Sequence, residues 1–477
     1  MKFDCYNYLP VSLQNLLVSA RGWQLKRLRY TDFTWKRFEF FEKSQWWSKQ
    51  EVKDYQNERL TQIVRHAYDT VPLYKEKWDN AEIKPGDIKS LEDIRLLPIL
   101  LKEEFRQNNH RAYSTIYPAN KVWHSFTSGT TGTPLCARIT HDNMRERFAL
   151  FERFYQWYTP GRWRRRASFT GKLIVPVGRD TEHVSRINRP LNQWLFSSHH
   201  LHPELFKKYF NDLAGCRPRQ IDGILSPIFV VAQAIRSASL TMDEPPNVVI
   251  TTSETLWDYM RDVIGEAFHC KVANQYSSQE GIPIACECSQ GGFHVCPESG
   301  FIEILNEKNE PCQTGEVGRM VVTSFLSDAT PLIRYDIGDT GSLTDAGCVC
   351  GRFTQMFSGI YGRVDDMLYT EEMGVIPRVD SAFKGLPSCI LATQVAQLSV
   401  DCFEVRLMVD EKVYKSEYAD VIIGNLHKYL GNKVDISSRN VSGFVLSKSG
   451  KVKAMVNEIG PIVGKNGVVS KWNEYFK

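Results

Sequence analysis

Long apolar runs are missing from this 477-residue chain. The longest, near residues 228–232, is far too short to cross a bilayer, which excludes a membrane-spanning helix of the usual kind. An excess of charge of one sign is missing too. The 59 Lys and Arg stand against 55 Asp and Glu, a formal charge of +4, so no nucleic-acid partner is implied. Residues 1–17 contain Lys2, Asp4, Asn7 and Gln14 and lack the apolar core of a secretory signal. Internal repeats and low-complexity segments do not stand out. What remains is the composition of a globular enzyme, 42% hydrophobic and 24% charged, expected in the cytoplasm. There the 12 cysteines should be reduced thiols or metal ligands rather than disulfides.

The order of segments predicts an α/β chain. The first hundred residues read as mostly helical. Leu60, Ile63, Val64 and Ala67 fall at i, i+3, i+4 and i+7, a helix that ends before Val71-Pro72. From about 120 to 340, strand-like runs at residues 172–177, 248–252, 301–305 and 319–324 alternate with helical stretches. After Gly362 the composition shifts. Strand-like runs at 404–409 and 443–447 flank a helix near 418–430, which reads as a small α+β domain over 363–477 after a large domain over 1–362.

Residues 127–134 read TSGTTGTP. Thr127, Ser128, Gly129, Thr130, Thr131 and Gly132 offer backbone N–H groups and hydroxyls with no bulky side chain in the way, as a phosphate chain requires. The loop is not a Walker P-loop, because Thr133 and Pro134 follow Gly132 instead of lysine and Ser or Thr. Downstream, Tyr276 and Glu280 lie close together after an apparent strand. The ring is suited to stack on a purine and the carboxylate to hold Mg²⁺. Residues 334–339 read as a strand ending in Asp339, a carboxylate able to accept both ribose hydroxyls. Ser449-Gly450-Lys451 sets a lysine on a flexible turn.

Two basic stretches stay open. Residues 13–41 mix Arg21, Lys26, Arg27, Arg29, Lys36 and Arg37 with Trp23, Tyr30, Phe33, Trp35 and Phe38. They suit either peripheral contact with an anionic membrane surface or packing on the chain's own domain. Residues 162–166, RWRRR, suit a phosphate patch or a solvated loop.

In order and spacing, residues 127–134, 276–280, 335–339, 362–366 and 449–451 resemble the adenylate-forming superfamily of acyl-CoA synthetases, luciferases and peptide-synthetase adenylation domains. The likeness is greatest to the phenylacetate–CoA ligase branch, including relatives found with capsular-polysaccharide genes. Residues 64–74, Phe169-Thr170-Gly171 and residues 195–199 look like that branch as well. The resemblance implies a large N-terminal domain with β-sheets flanked by helices, followed by a small, mobile C-terminal domain. It implies ATP-dependent formation of an acyl-adenylate from a small carboxylic acid, with pyrophosphate released and the acyl group passed to a thiol, CoA. By it, Thr127 to Gly132 wrap the β- and γ-phosphates, and Ser253, Glu254 and Thr255 form the adenine-side turn. Tyr276 stacks on adenine, with Ser277 and Gln279 beside the nucleotide. Glu280 binds Mg²⁺, Asp339 the ribose hydroxyls, and Arg363 the ribose and α-phosphate. Lys451 bridges the carboxylate and α-phosphate, and Asp365 is the hinge. Thr133 stands where lysine is frequent, Ser277 where glycine is, and Gln279 where Ser or Thr is. The segment after Asp366 also looks short. These departures keep open an amine or amino sugar as acceptor in polysaccharide or secondary metabolism, and a non-catalytic nucleotide-binding protein.

Cys286, Cys288, His294 and Cys296 fall within eleven residues, and Cys348-x-Cys350 follows. Such thiolate and imidazole clusters hold structural zinc. Relatives in the same branch carry C-x5-H … C-x-C, which Cys288, His294, Cys348 and Cys350 match. Either Cys286 or Cys296 is able to replace a ligand.

Overall fold

The computed structural model describes residues 5–126, 135–176, 182–201, 203–363, 368–376, 379–383, 386–387, 389–444 and 454–458. The chain divides into two compact units. One comprises Leu25–Pro160 and Gln275–Ile360; the other comprises Met1–Gln24, Gly161–Asn274 and Tyr361–Lys477.

In the first unit the expected helix spans Lys49–Thr70 and buries Leu60, Ile63, Val64 and Ala67. Ser48 starts it with a reciprocal cap: its hydroxyl accepts from Glu51 N, and the Glu51 carboxylate accepts from Ser48 N. Val71 ends it, and Pro72 opens the next helix, Pro72–Asn80, where a missing N–H costs nothing. The buried face shares one core with Ile302, Ile304, Val322 and Tyr335 of the sheet. That sheet runs in the order Gly300–Leu305, Gly318–Ser324, Tyr335–Thr344, Met356–Arg363, Phe293–Val295, Ala285–Glu287. Ala285 and Cys286 then pair with Tyr276 and Gln275.

The strands expected at 301–305 and 319–324 are present. Asp339, however, does not end a strand. It lies in the middle of Tyr335–Thr344, because the chain turns just before Tyr335, where Arg334 adopts a left-handed φ of 45°. The Arg334 guanidinium holds that turn. It donates to both Glu303 oxygens at 3.1 and 2.9 Å and to the carbonyls of Arg95 and Leu97.

The second unit carries a sheet ordered Val248–Thr252, Gln220–Ile224, Arg166–Thr170, Gln193–Ser197, Ser185–Asn188, parallel except at the last strand. Gly223, at φ 134°, lets two of these strands approach: an added Cβ would lie 2.1 Å from the Phe169 carbonyl oxygen. The strand expected at 248–252 is present, but the one expected at 172–177 is displaced to Arg166–Thr170. Pro176 has no N–H for a ladder, whereas the polar residues of 166–170 find partners. Ser168 donates to Asp222 at 2.6 Å and accepts from Gln193 at 2.7 Å, and Arg166 lies 3.6 Å from Asp222.

Toward the C-terminus, the helix Glu417–Leu430 buries Ile422, Leu426 and Leu430 in a core shared with the sheet Asp435–Asn440, Cys402–Val409, Ile390–Gln397, Met455–Asn457. The expected strand at 404–409 and helix at 418–430 are therefore present. The strand expected at 443–447 falls mostly outside the described residues; the neighbouring strand is Asp435–Asn440. The mixed α/β class with helix-flanked sheets is as the sequence predicts.

Candidate functional site

Gln275 and Tyr276 end a strand, and a turn over 277–280 follows. The Tyr276 hydroxyl donates to Asp339 Oδ2 at 2.6 Å, and its ring meets Phe357 edge-on at 6.0 Å. Two residues expected at one nucleotide thus touch across sixty-three positions. Glu280 closes the turn and is only 4% exposed; its Oε1 lies 3.5 Å from Lys102 Nζ, which also donates to the Ile337 carbonyl. Arg147 clamps the turn on both sides of Glu280, donating to the carbonyls of Ser278 at 3.0 Å and Ile282 at 3.1 Å. Burial pushes the Arg147 guanidinium down to about 10, against the stabilising charge of Glu280. Lys102 and Arg147 escape sequence reading, since single basic residues on helices look like solvated surface.

Ser277 is half-buried, and Gln279 is exposed, with its Oε1 accepting from Ser125 Oγ at 3.0 Å. Ser125 belongs to the strand Trp123–Phe126, which leads into residues 127–134. Thr127, Ser128, Gly129, Thr130, Thr131 and Gly132 lie outside the described residues, as do Asp365 and Lys451.

Ser253, Glu254 and Thr255 lie in the second unit. Ser253 takes a left-handed φ of 75°. The Glu254 carboxylate accepts from Ser226 N at 2.6 Å and from Ser226 Oγ at 3.0 Å, at the start of the helix Leu225–Ser237. A negative charge there meets the positive end of the helix dipole. Thr255 Oγ1 lies 3.4 Å from where a Cβ on Gly362 would stand, and Arg363 ends the strand Met356–Arg363.

The cysteine cluster gathers in the first unit. Cys288 and His294 flank a tight turn between Ala285–Glu287 and Phe293–Val295, closed by Gly291 N donating to the Cys288 carbonyl. Cys348 and Cys350 come from a loop where Gly351 N donates to the Cys348 carbonyl. The four ligand atoms all lie within 4.8 Å of one another. Cys288 Sγ is 3.6 Å from Cys348 Sγ, and Cys350 Sγ is 3.3 Å from His294 Nε2. Thr354 Oγ1 sits 2.9 Å from His294 Nδ1 and aims Nε2 at the sulfurs. Gly292 is required, since a Cβ there would lie 2.7 Å from both Cys348 Sγ and His294 Nε2. Burial, with Arg352 and Arg153 nearby, pushes His294 down to about 4, so its imidazole is neutral. Cys286 and Cys296 are not members of the cluster; both are buried near the ion pair of Arg153 and Glu298, which meets at 2.6 Å.

The family model described as the CapK C-terminal domain matches residues 368–458. Protein CapK of Staphylococcus aureus is 26% identical over 95% of this chain and 99% of its own length. The phenylacetate-coenzyme A ligase of Thermus thermophilus is 23% identical over 78% of this chain and 85% of its own. The chain is a homologue of CapK and of the phenylacetate-coenzyme A ligases. The chain also resembles a solved 2-hydroxyisobutyryl-CoA ligase in its postadenylation state, with TM-score 0.70, 17% identity and coverage of 87% of this chain and 91% of the other. That likeness establishes the adenylate-forming enzyme fold. Among the described residues, no helix is long and apolar enough to cross a membrane.

Proposed function

We propose that the protein is an AMP-forming acid–thiol ligase. A carboxylate oxygen attacks the α-phosphorus of ATP, pyrophosphate leaves, and an acyl-adenylate remains. The sulfur of CoA then attacks the acyl carbon, and AMP departs with the former carboxylate oxygen. The observation that carries the reading is the hydrogen bond between Tyr276 and Asp339, two groups suited to adenine and ribose. The relatives named as coenzyme A ligases favour a thiol acceptor over an amine, and an enzyme over a binding protein.

In this reading Tyr276 stacks on the adenine, and Ser253, Glu254 and Thr255 form the adenine-side turn. Asp339 and Arg363 hold the ribose, and Thr127 to Gly132 hold the phosphates with Ser277 and Gln279 alongside. Glu280 supplies a hard oxygen ligand to Mg²⁺, which neutralises phosphate charge. Lys102, 3.5 Å from its Oε1, and Arg147, which clamps the turn that carries it, hold that buried carboxylate in place. Lys451 arrives with a small C-terminal domain that starts at 363 and turns about Asp365, then withdraws to admit the thiol.

Cys288, His294, Cys348 and Cys350 would hold zinc. Bonds of about 2.3 Å to sulfur in a tetrahedron separate two sulfurs by roughly 3.8 Å, and the observed 3.6 Å fits. All four positions are filled by protein, so the ion would be structural. Thiolate ligands suit the reducing cytoplasm, where we place the protein.

The test is carboxylate-dependent ATP–pyrophosphate exchange across aromatic, short-chain and hydroxy acids, followed by CoA thiol consumption with any acid that exchanges. Exchange with at least one acid and consumption of CoA are expected. Nucleotide binding without exchange on any acid would leave only a nucleotide-binding protein.

A further inference from the structure

The helix Val11–Arg29 is amphipathic the wrong way round. Its polar face points into the protein. Asn15 Oδ1 accepts from Ile187 N at 2.8 Å, and Ser19 Oγ donates to the Ile187 carbonyl at 3.0 Å and accepts from Arg189 N at 3.2 Å. Gln14 accepts from Arg186 Nε at 2.6 Å. Gly22 lets the helix close on Asn188, whose Oδ1 would lie 1.9 Å from an added Cβ. Residues 15, 19 and 22 define the inner stripe, so 13, 16, 20 and 23 must face away.

That outer stripe is apolar. Leu13 is 44% exposed, Leu16 63% and Trp23 54%. Single exposed apolar residues are ordinary, but a stripe of them on one helix face marks an interaction surface. Of the basic residues on this helix, Arg21 and Arg27 are exposed, whereas Lys26 and Arg29 are half-buried, Arg29 lying 4.3 Å over the Phe148 ring; the helix has no acidic residue.

We propose that this helix seats the protein on an anionic lipid surface. Leucine and tryptophan enter the boundary between headgroups and acyl chains, and the two exposed cations, Arg21 and Arg27, meet lipid phosphates. Charge chooses lipid over a second copy of the chain, because self-pairing of this face sets Arg21 and Arg27 against their own copies with no acidic residue on the helix to offset them. The docking is peripheral, since most of the helix's other face is committed to residues 186–189.

The test is co-sedimentation of the full chain with vesicles of phosphatidylglycerol mixed into phosphatidylcholine, compared with phosphatidylcholine alone. Binding to the anionic vesicles should be stronger by about tenfold or more and should fall with salt. Leu16→Ser with Trp23→Ser, and separately Arg21→Gln with Arg27→Gln, should each cut it by about tenfold. Melting temperature and pyrophosphate exchange should not change, because these side chains face outward. Absent binding, equal binding to both vesicles, or binding insensitive to both sets of substitutions overturns the proposal. So does a dimer in solution that the Leu16 and Trp23 substitutions dissociate, which would give the stripe to a second copy.

Discussion

Tyr276 offers two functions that one atom separates, a ring for a base and a hydroxyl for Asp339. Tyr276→Phe keeps the ring and removes the donor to a carboxylate, a bond of the charge-assisted class. The expected result is a rise of about tenfold in KM for ATP in the exchange reaction, with a smaller change in kcat. An unchanged KM would assign the hydroxyl to folding alone. Tyr276, Glu280 and Asp339 were legible in the sequence because each is a chemically distinct residue at a spaced position. Lys102 and Arg147 were not, since their role depends on a turn that only the fold brings to them. Nor did the sequence indicate that both Glu254 oxygens accept from Ser226.

The hairpin that carries Cys288 and His294 is where an element's sequence predicted its geometry most closely. Two short spacings, C-x5-H and C-x-C, constrain ligand positions so tightly that little else needed to be known. The four-ligand cluster takes Cys288 and leaves Cys286 and Cys296 to a separate buried setting. Cys350→Ala is expected to purify without stoichiometric zinc, as read by elemental analysis. Thr354→Val, which removes only the partner of His294 Nδ1, should weaken zinc by about tenfold against a competing chelator. Zinc absent from the unaltered protein, or affinity unmoved by Thr354→Val, would contradict this.

Other elements were legible in proportion to their periodicity. Lys49–Thr70 and Glu417–Leu430 follow from their apolar spacing. The strand at Arg166–Thr170 was hidden because Asp222 and Gln193 satisfy its polar residues, and no local rule anticipates those partners. The inverted helix Val11–Arg29 was hidden for the same reason: its polar residues look like a solvent face until strand edge and helix are seen together.

At the scale of the whole molecule, the proposed chemistry depends on a charge brought from far along the chain. Lys451→Ala should lower carboxylate-dependent exchange by about 10²- to 10³-fold while ATP binding, measured by calorimetry, stays largely intact. Full exchange in that variant would remove the lysine from the reaction. The first helix has a consequence of another kind. Ser185–Asn188 is the last strand of its sheet. A strand in that position ordinarily presents unpaired N–H and carbonyl groups to any passing chain. Here both backbone groups of Ile187 are taken by Asn15 and Ser19. The helix is therefore a cover over a pairing template, and proteolytic removal of it would do more than cost the protein a surface. It would open a sticky β-edge and turn the folded protein into a nucleus for aggregation.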